Sequence, residues 1–333
     1  MGWSMGAQAV LILSVPEDVH AQAVERELSA LGIRTYLVDT SKYPAHMSIS
    51  MRFGGRDGAV IEVGDRRIEL RDVGAIWWRR PQPPVIAPEL TDPVHRQFAS
   101  HEAAHFLNGL WRACDARWVN AVDADHAASY KPYQLRLATE CGLNVPQTLI
   151  SNSPTAVAEF IETSSAGLIY KPLSGLPSAW RETRRLTALE QPFIPFVKHA
   201  PVIFQHYVTG PDLRVTVVGE QIFAAEFDTS RSRYPYDIRM DMTVPVKVVE
   251  LDASTARSIR MLVERLGLVY GAIDLKRDEA GRLWFLEINP SGQFLYVEQL
   301  TEMPIGRTLA HVLASGLEAG RDGTTTRRSW ATT

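Results

Sequence analysis

Cysteine is nearly missing from this chain: 333 residues carry two, Cys114 and Cys141. Two thiols in such a length make no disulfide framework, and a reducing cytoplasm is the expected compartment. Long apolar runs are missing too. Ala9-Val10-Leu11-Ile12-Leu13 is far too short for a membrane helix, and no basic stretch precedes it as in a signal peptide. Gly6 stands where a myristoylation signal after Met1-Gly2 needs Ser or Thr. Neither sign of charge is in excess. The balance of 35 Lys+Arg against 38 Asp+Glu leaves −3, which gives no reason to expect a polyanion. The expectation is a cytoplasmic protein with no membrane and no nucleic-acid partner. No G-x-x-x-x-G-K-[ST] occurs, which excludes a P-loop NTPase, and no G-x-G-x-x-G follows the first strand. There is also no G-x-S-x-G and no obvious catalytic cysteine.

What is present is an ordinary α/β composition, 45% hydrophobic and 22% charged, long enough for two or three domains. Residues 9–15 read as a buried strand, Glu17 to Leu31 as a helix with Val19, Ala23, Val24, Leu28 and Leu31 on one face, and 33–38 as a second strand. This is a βαβ unit. Short alternating strands at 47–53, 59–63 and 66–70 predict an antiparallel insertion, 75–78 one more buried strand, and Asp92-Pro93 the start of a long helix to about Ala113. The first domain is expected at 1–120. A central block, 121–200, has a helix from Lys131 to Cys141, a strand at 148–151, a helix after Ser153-Pro154 and the strand Leu168–Lys171. A last block, 201–319, alternates strands (202–208, 213–218, 222–227, 270–276, 283–289) with a helix at 254–266. The Thr/Arg-rich tail, 320–333, is expected to be disordered.

Three segments carry chemistry. In the hairpin holding Asp274, Glu287 and Asn289, alternation puts Glu287 and Asn289 on one face while Ile288 is buried, and the turn RDEAGR returns the strand beside Asp274. Oxygen ligands converging from adjacent strands suit Mg²⁺, which shares its remaining positions with water and phosphates; a plain solvated polar face fits the same alternation. Lys171 ends an apolar strand and Lys131 opens a helix. The loop PLSGLPS after Lys171, containing Ser174 and Gly175, can cover phosphates with backbone N–H groups while lysine supplies a point charge. The third segment, PVIFQHYVTGPDLRV, is an extended run (Gln205, His206, Tyr207, Val208) able to pair with an adenine edge. Asp212 follows, placed for ribose hydroxyls, although strand, turn and strand explain it equally well.

In this order the segments resemble the ATP-grasp ligases over about residues 120–300, with a matching α/β domain in front. Within that superfamily IWWRRP (76–81), DLRV (212–215), DIR (237–239) and EINPSGQF (287–294) resemble the graspetide maturases, which cross-link ribosomal precursor peptides of the microviridin type. The resemblance implies an N-terminal α/β pre-ATP-grasp domain, a central lid and a C-terminal ATP-grasp domain. It implies Lys131 and Lys171 on ATP phosphates, the backbone of Gln205, Tyr207 and Val208 on adenine, Asp212 on ribose, and Asp274, Glu287 and Asn289 on two Mg²⁺. Arg214, and more weakly Arg239, would steady the transferred phosphoryl group and its acceptor carboxylate. The activity implied is phosphorylation of a peptide Asp or Glu by ATP, then ring closure by a Ser or Thr hydroxyl or a Lys amine of the same peptide. The implied partners are the precursor peptide, its leader held by the middle block at Trp180 to Lys198 with Arg181, Arg184 and Arg185 facing acidic residues, and a second copy of the chain. Ligases joining amino acids or a small carboxylate to an amine, and a nucleotide- and peptide-binding protein without turnover, are the alternatives.

One motif stands outside this scheme. His101-Glu102-Ala103-Ala104-His105 matches H-E-x-x-H, but no third zinc ligand is evident, and the expectation is an exposed structural helix. Arg79 and Arg80, at a strand end, are placed to meet an acidic peptide or to form surface salt bridges.

Overall fold

The computed structural model describes residues 9–54, 58–164, 167–175, 182–229, 232–236, 240–241 and 243–319. Arg239, Trp180, Arg181 and the tail 320–333 lie outside the described residues. The chain divides into two compact units, one made of residues up to Asp123 together with those from Pro304 onward, the other running from Ala124 to Met303.

The first unit opens with β1 (Ala9–Leu13), α1 (Val19–Ala30) and β2 (Arg34–Val38), then β3 (Ser48–Arg52), β4 (Gly58–Val63), β5 (Arg66–Glu69) and β6 (Val73–Trp78). It continues with α2 (Pro93–Ala113), β7 (Arg117–Val119) and the start of α3 (Val122–Ala128). Strands β2-β1-β6-β7 form a wholly parallel sheet. Such a sheet is covered on both faces, which is why every residue of β1 is buried and apolar. Strands β3-β4-β5 make the antiparallel insertion. Asp18 caps α1, accepting from the His20 N–H at 3.0 Å, and Gly32, at φ 72°, supplies the left-handed turn that leads into β2.

The second unit contains α4 (Lys131–Glu140), β8 (Thr148–Ser151), α5 (Pro154–Glu162), β9 (Leu168–Lys171), β10 (Arg184–Arg185), β11 (Val202–His206), β12 (Asp212–Val218), β13 (Gln221–Phe227), β14 (Val246–Val248), α6 (Ala253–Arg265), β15 (Tyr270–Arg277), β16 (Leu283–Asn289) and α7 (Leu295–Thr301). Two sheets result, ordered β10-β9-β11-β8 and β14-β13-β12-β15-β16. The larger is antiparallel throughout. Its lower face, including Leu213, Val215, Ile273, Leu275, Phe285 and Ile288, packs on Leu137 and Ala138 of α4 and on Ile259 and Leu262 of α6. Each such side chain, fully buried, contributes about 1.5–3 kcal/mol.

Three differences from the sequence expectation have plain causes. The boundary at 200 cuts through a sheet, because β11 pairs with β8 and β9 and the chain crosses to the larger sheet only after His206. The basic stretch 182–198 has no counterpart among the expected elements. It is the edge strand β10 followed by a 3₁₀ segment, Gln191–His199, with Pro195 inside. Finally, α8 (Ile305–Ala319) belongs with the first unit, packed on α1, β1, β6 and β7. Gly316 permits this approach, since a Cβ there would stand 2.8 Å from the Arg117 Cβ and 3.3 Å from the Ala75 Cβ.

Candidate active site

Strand alternation builds the site on the upper face of the five-stranded sheet. Asp212 lies opposite Lys276, Arg214 opposite Asp274, and Asp274 opposite Glu287, with Asn289 two positions further along β16. Residues directly opposite in antiparallel strands share a face, so these six side chains form one polar field over an apolar underside. A register shift after Asp274 leaves Leu286 as the extra residue of β16 and keeps Glu287 in phase with Asp274.

The field is arranged in charge pairs. Arg214 donates from Nη1 to Asp274 Oδ1 at 2.6 Å and from Nη2 to the Gln293 carbonyl at 2.9 Å, and its guanidinium lies 6.0 Å from the Tyr296 ring. Burial works against its charge, but Asp274 foremost keeps it ionised, with its pKa raised. Its buried Nε has no hydrogen-bond partner among the described residues. Lys276 donates to Asp212 Oδ2 at 3.0 Å. Burial pushes the Asp212 carboxyl up to about 6, against the pull of Lys276. At the sheet edge Lys131 Nζ pairs with Glu287 Oε2.

Lys131 reaches that edge because of a residue the sequence reading passed over. Gln134, one turn further along α4, donates to the carbonyls of Ala128 and Ile288 and accepts the Ile288 N–H at 3.1 Å. Its amide therefore completes the pairing of edge strand β16 and fixes the helix end that carries Lys131. Beyond β16, Asn289 Oδ1 accepts the Ser291 N–H at 3.0 Å, and Ser291 donates to the buried Asp125 at 3.2 Å. A Cβ at Gly292 would fall 2.3 Å from the Ala272 Cβ and 3.0 Å from Arg214 Nη2, so this position admits only glycine without moving the arginine. EINPSGQF holds the signal for both residues; Gln134 reads in sequence as an ordinary helix residue.

On the smaller sheet Lys171 lies opposite Ile203, and Gln205 opposite Ile169, which puts Lys171 and Gln205 on one face. Gln205 is buried, donates to Thr148 Oγ1 at 2.9 Å, and leaves its Oε1 without a partner among the described residues. His206 is turned the other way. Its ring lies 5.2 Å from that of Phe160 on α5, burial lowers its pKa, and the side chain is not on the Lys171 face. The backbone N–H groups of His206 and Tyr207 donate to Gln147 and Gly167, leaving the Tyr207 carbonyl and Val208, past the last rung of β11, as the backbone nearest the sheet end. Ser174 and Gly175 follow β9 in a loop that bends at Leu173 and Ser174, and a Cβ at Gly175 would meet nothing within 4 Å.

For Mg²⁺ the donor set fits: Asp274, Glu287 and Asn289 offer hard oxygens on facing positions. Among the described residues no three His, Cys, Asp or Glu side chains gather as a metal group. His101 and His105 stack at 6.1 Å on the outer face of α2, with His101 Nδ1 3.3 Å from Glu102. Arg79 is fully buried and paired with Asp18 at 2.9 Å, so it neither meets a peptide nor forms a surface salt bridge, while Arg80 is exposed.

Residues 9–126 match the family model of the MvdD pre-ATP grasp domain. No curated protein is similar in sequence. Among solved structures, the macrocyclase MdnC of Microcystis aeruginosa MRC, bound with precursor peptide MdnA, superposes with a TM-score of 0.83 at 27% identity, over 92% of this chain and 99% of that one. MdnB, a macrocyclase of the same organism, gives 0.78 at 26% over 92% and 99%. The ATP-grasp ligase PsnB, complexed with a phosphomimetic variant of its minimal precursor, Mg and ADP, gives 0.75 at 26% over 93% and 99%. The fold and these relatives make this chain an ATP-grasp ligase, ADP-forming as that class is. The three relatives named, two macrocyclases and a ligase solved with its minimal precursor, match graspetide-type ligases. Among the described residues no helix is long and apolar enough to cross a membrane.

Proposed function

We propose that this ligase phosphorylates Asp or Glu side chains of a ribosomal precursor peptide and closes ester or amide rings within it. The observation that carries this reading is Arg214, held by Asp274 and the Gln293 carbonyl within the polar field of the five-stranded sheet. A carboxylate oxygen of the peptide attacks the γ-phosphorus of ATP, the bond to the bridging oxygen breaks, and ADP leaves. The acyl phosphate is then attacked by a Ser or Thr hydroxyl or a Lys amine. The new C–O or C–N bond forms as the C–O bond to phosphate breaks, and the nucleophile's proton leaves with the phosphate released. The chain's part is positioning and charge neutralisation, as phosphoryl transfer requires.

Lys171 and Lys131 take the phosphates, with Ser174 and Gly175 over them; Gln205, the Tyr207 carbonyl and Val208 face adenine; Asp212 takes the ribose. Asp274, Glu287 and Asn289 would hold two Mg²⁺, whose role is to offset phosphate charge. A cytoplasmic homodimer is the proposed state.

The test is product analysis with an acidic, hydroxyl-rich peptide. ADP, phosphate and loss of water from the peptide are expected, with Mg²⁺ required; AMP would overturn the reading. Glu287→Gln keeps volume and removes a ligand, and turnover should fall by roughly two orders of magnitude or more. Near-native turnover would remove Glu287 from the site.

A further inference from the structure

Lys276 has no part in the scheme above, yet it is the most enclosed cation of the polar field, its side chain 5% exposed. Its ammonium donates to Asp212 Oδ2 at 3.0 Å, to the Gly210 carbonyl at 2.9 Å and to the Pro235 carbonyl at 3.4 Å, and it lies 5.7 Å from the Tyr207 ring. Three N–H donors meet three oxygens, so the capacity of the group is filled by the protein itself. Those oxygens come from different places. Gly210 is in the turn that carries the chain from the smaller sheet to the larger, Asp212 begins β12, and Pro235 belongs to a segment whose Tyr236 ring meets that of Tyr207 at 5.2 Å.

The turn is pressed onto the same strand end by two further contacts. The Arg277 N–H donates to the Pro211 carbonyl at 3.1 Å, and a Cβ on Gly210, at φ 137°, would stand 1.9 Å from the Arg277 carbonyl oxygen. Gly210 is therefore required twice over, by conformation and by space. The end of β15 is thus a dock for the crossing between sheets, and Lys276 is its charged member.

We propose that Lys276 is a positioning residue for the nucleotide: it holds the Asp212 carboxylate and the Gly210 turn in one fixed relation and so sets how ribose is gripped. This rests on the nucleotide reading of Asp212 given above. The lysine touches neither nucleotide nor peptide in this account; it acts through Asp212. Without it, a carboxylate would remain buried with no counter-charge beside it, free to turn away from the ribose.

The test uses the full-length chain and titration calorimetry with MgADP and with Mg-2′,3′-dideoxyADP. Lys276→Met is expected to weaken MgADP binding roughly ten- to hundredfold, the range for leaving a charged hydrogen-bond partner unsatisfied. It should also shrink the preference for ADP over its dideoxy analogue toward one, because that preference reports the ribose grip alone. A generally loosened fold would weaken both ligands alike and leave their ratio unchanged, and that result overturns the proposal. The double variant Asp212→Asn/Lys276→Met should bind MgADP no more weakly than Asp212→Asn, since a residue acting through another adds nothing once that other is gone. A further loss in the double variant overturns the proposal, and this comparison decides the matter even where Lys276→Met alone does not fold. Asp212→Asn that binds both nucleotides as the unaltered protein does would bring down the ribose reading itself. Loss with Asp212→Asn but none with Lys276→Met would bring down only the part given to Lys276.

Discussion

Asp212 is the residue whose protonation should be visible in solution. Burial lifts its carboxyl to about 6 from 3.8 even with Lys276 against it. The folded chain therefore binds this proton more tightly than the unfolded chain. The resulting stabilisation is complete below about pH 3.8 and is lost as pH rises through about 6. In the ribose role proposed for Asp212, function runs the opposite way, because only the ionised carboxylate accepts from both ribose hydroxyls. MgADP affinity should accordingly fall as pH drops through about 6, as read by calorimetry between about pH 5 and 8. A flat profile there would show that Asp212 does not grip the nucleotide. Lysines are the hardest residues of this site to assign from sequence. Lys276 shares strand parity with Asp274 and so its face was readable, but a lysine on a polar face is normally solvated, and only tertiary packing shows that this one is enclosed.

At the scale of the element, the amide of Gln134 on α4 completes the outer edge of β16. Gln134→Leu would leave the N–H and C=O of Ile288 without their partners, a cost of about 2–4 kcal/mol. Both a lower melting temperature and weaker nucleotide binding are expected, since Lys131 sits on the same helix face; an unchanged melt would mean that the edge strand holds without the amide. The second prediction concerns the edge strand β10 and the 3₁₀ segment behind it, where Leu189, Phe193 and Phe196 are exposed beside Arg184 and Arg185. If leader peptide docks there, residues 182–198 should gain hydrogen-exchange protection when it is added. No change would move the leader elsewhere. Elements with a full period were legible beforehand: the hairpin of β15 and β16, the helix from Pro93, the antiparallel insertion. Edge strands of two or three residues, such as β10 and β14, were not, because so short a stretch has no alternation to read.

For the molecule as a whole, the outer face of α2 is the feature left without an intramolecular purpose. Val94 and Phe98 are 69% and 68% exposed, in line with His101 and His105 at successive helical turns. Pairing of this face with its own copy, antiparallel, is self-complementary in the manner a two-fold interface requires. If the proposed homodimer forms through this face, Phe98→Glu should shift sedimentation toward monomer with ATP turnover per chain largely retained. A dimer that persists in this variant would place the contact on another surface. The His101/His105 pair needs no zinc in this picture, and its replacement by Gln should leave ligation nearly unchanged.

The position of α8 has a consequence for how the protein comes into being. During synthesis the parallel sheet β2-β1-β6-β7 is finished at Val119, but the helix that lies against β1, β6 and β7 is made only after residues 124–303 have emerged. At about 5–20 residues per second the ribosome needs on the order of ten seconds or more for that interval. The early sheet must wait with one apolar side uncovered while the second unit is made. A nascent chain stalled before Ile305 is therefore a ligand for chaperones that hold apolar surface, and release from them should coincide with the appearance of the last helix.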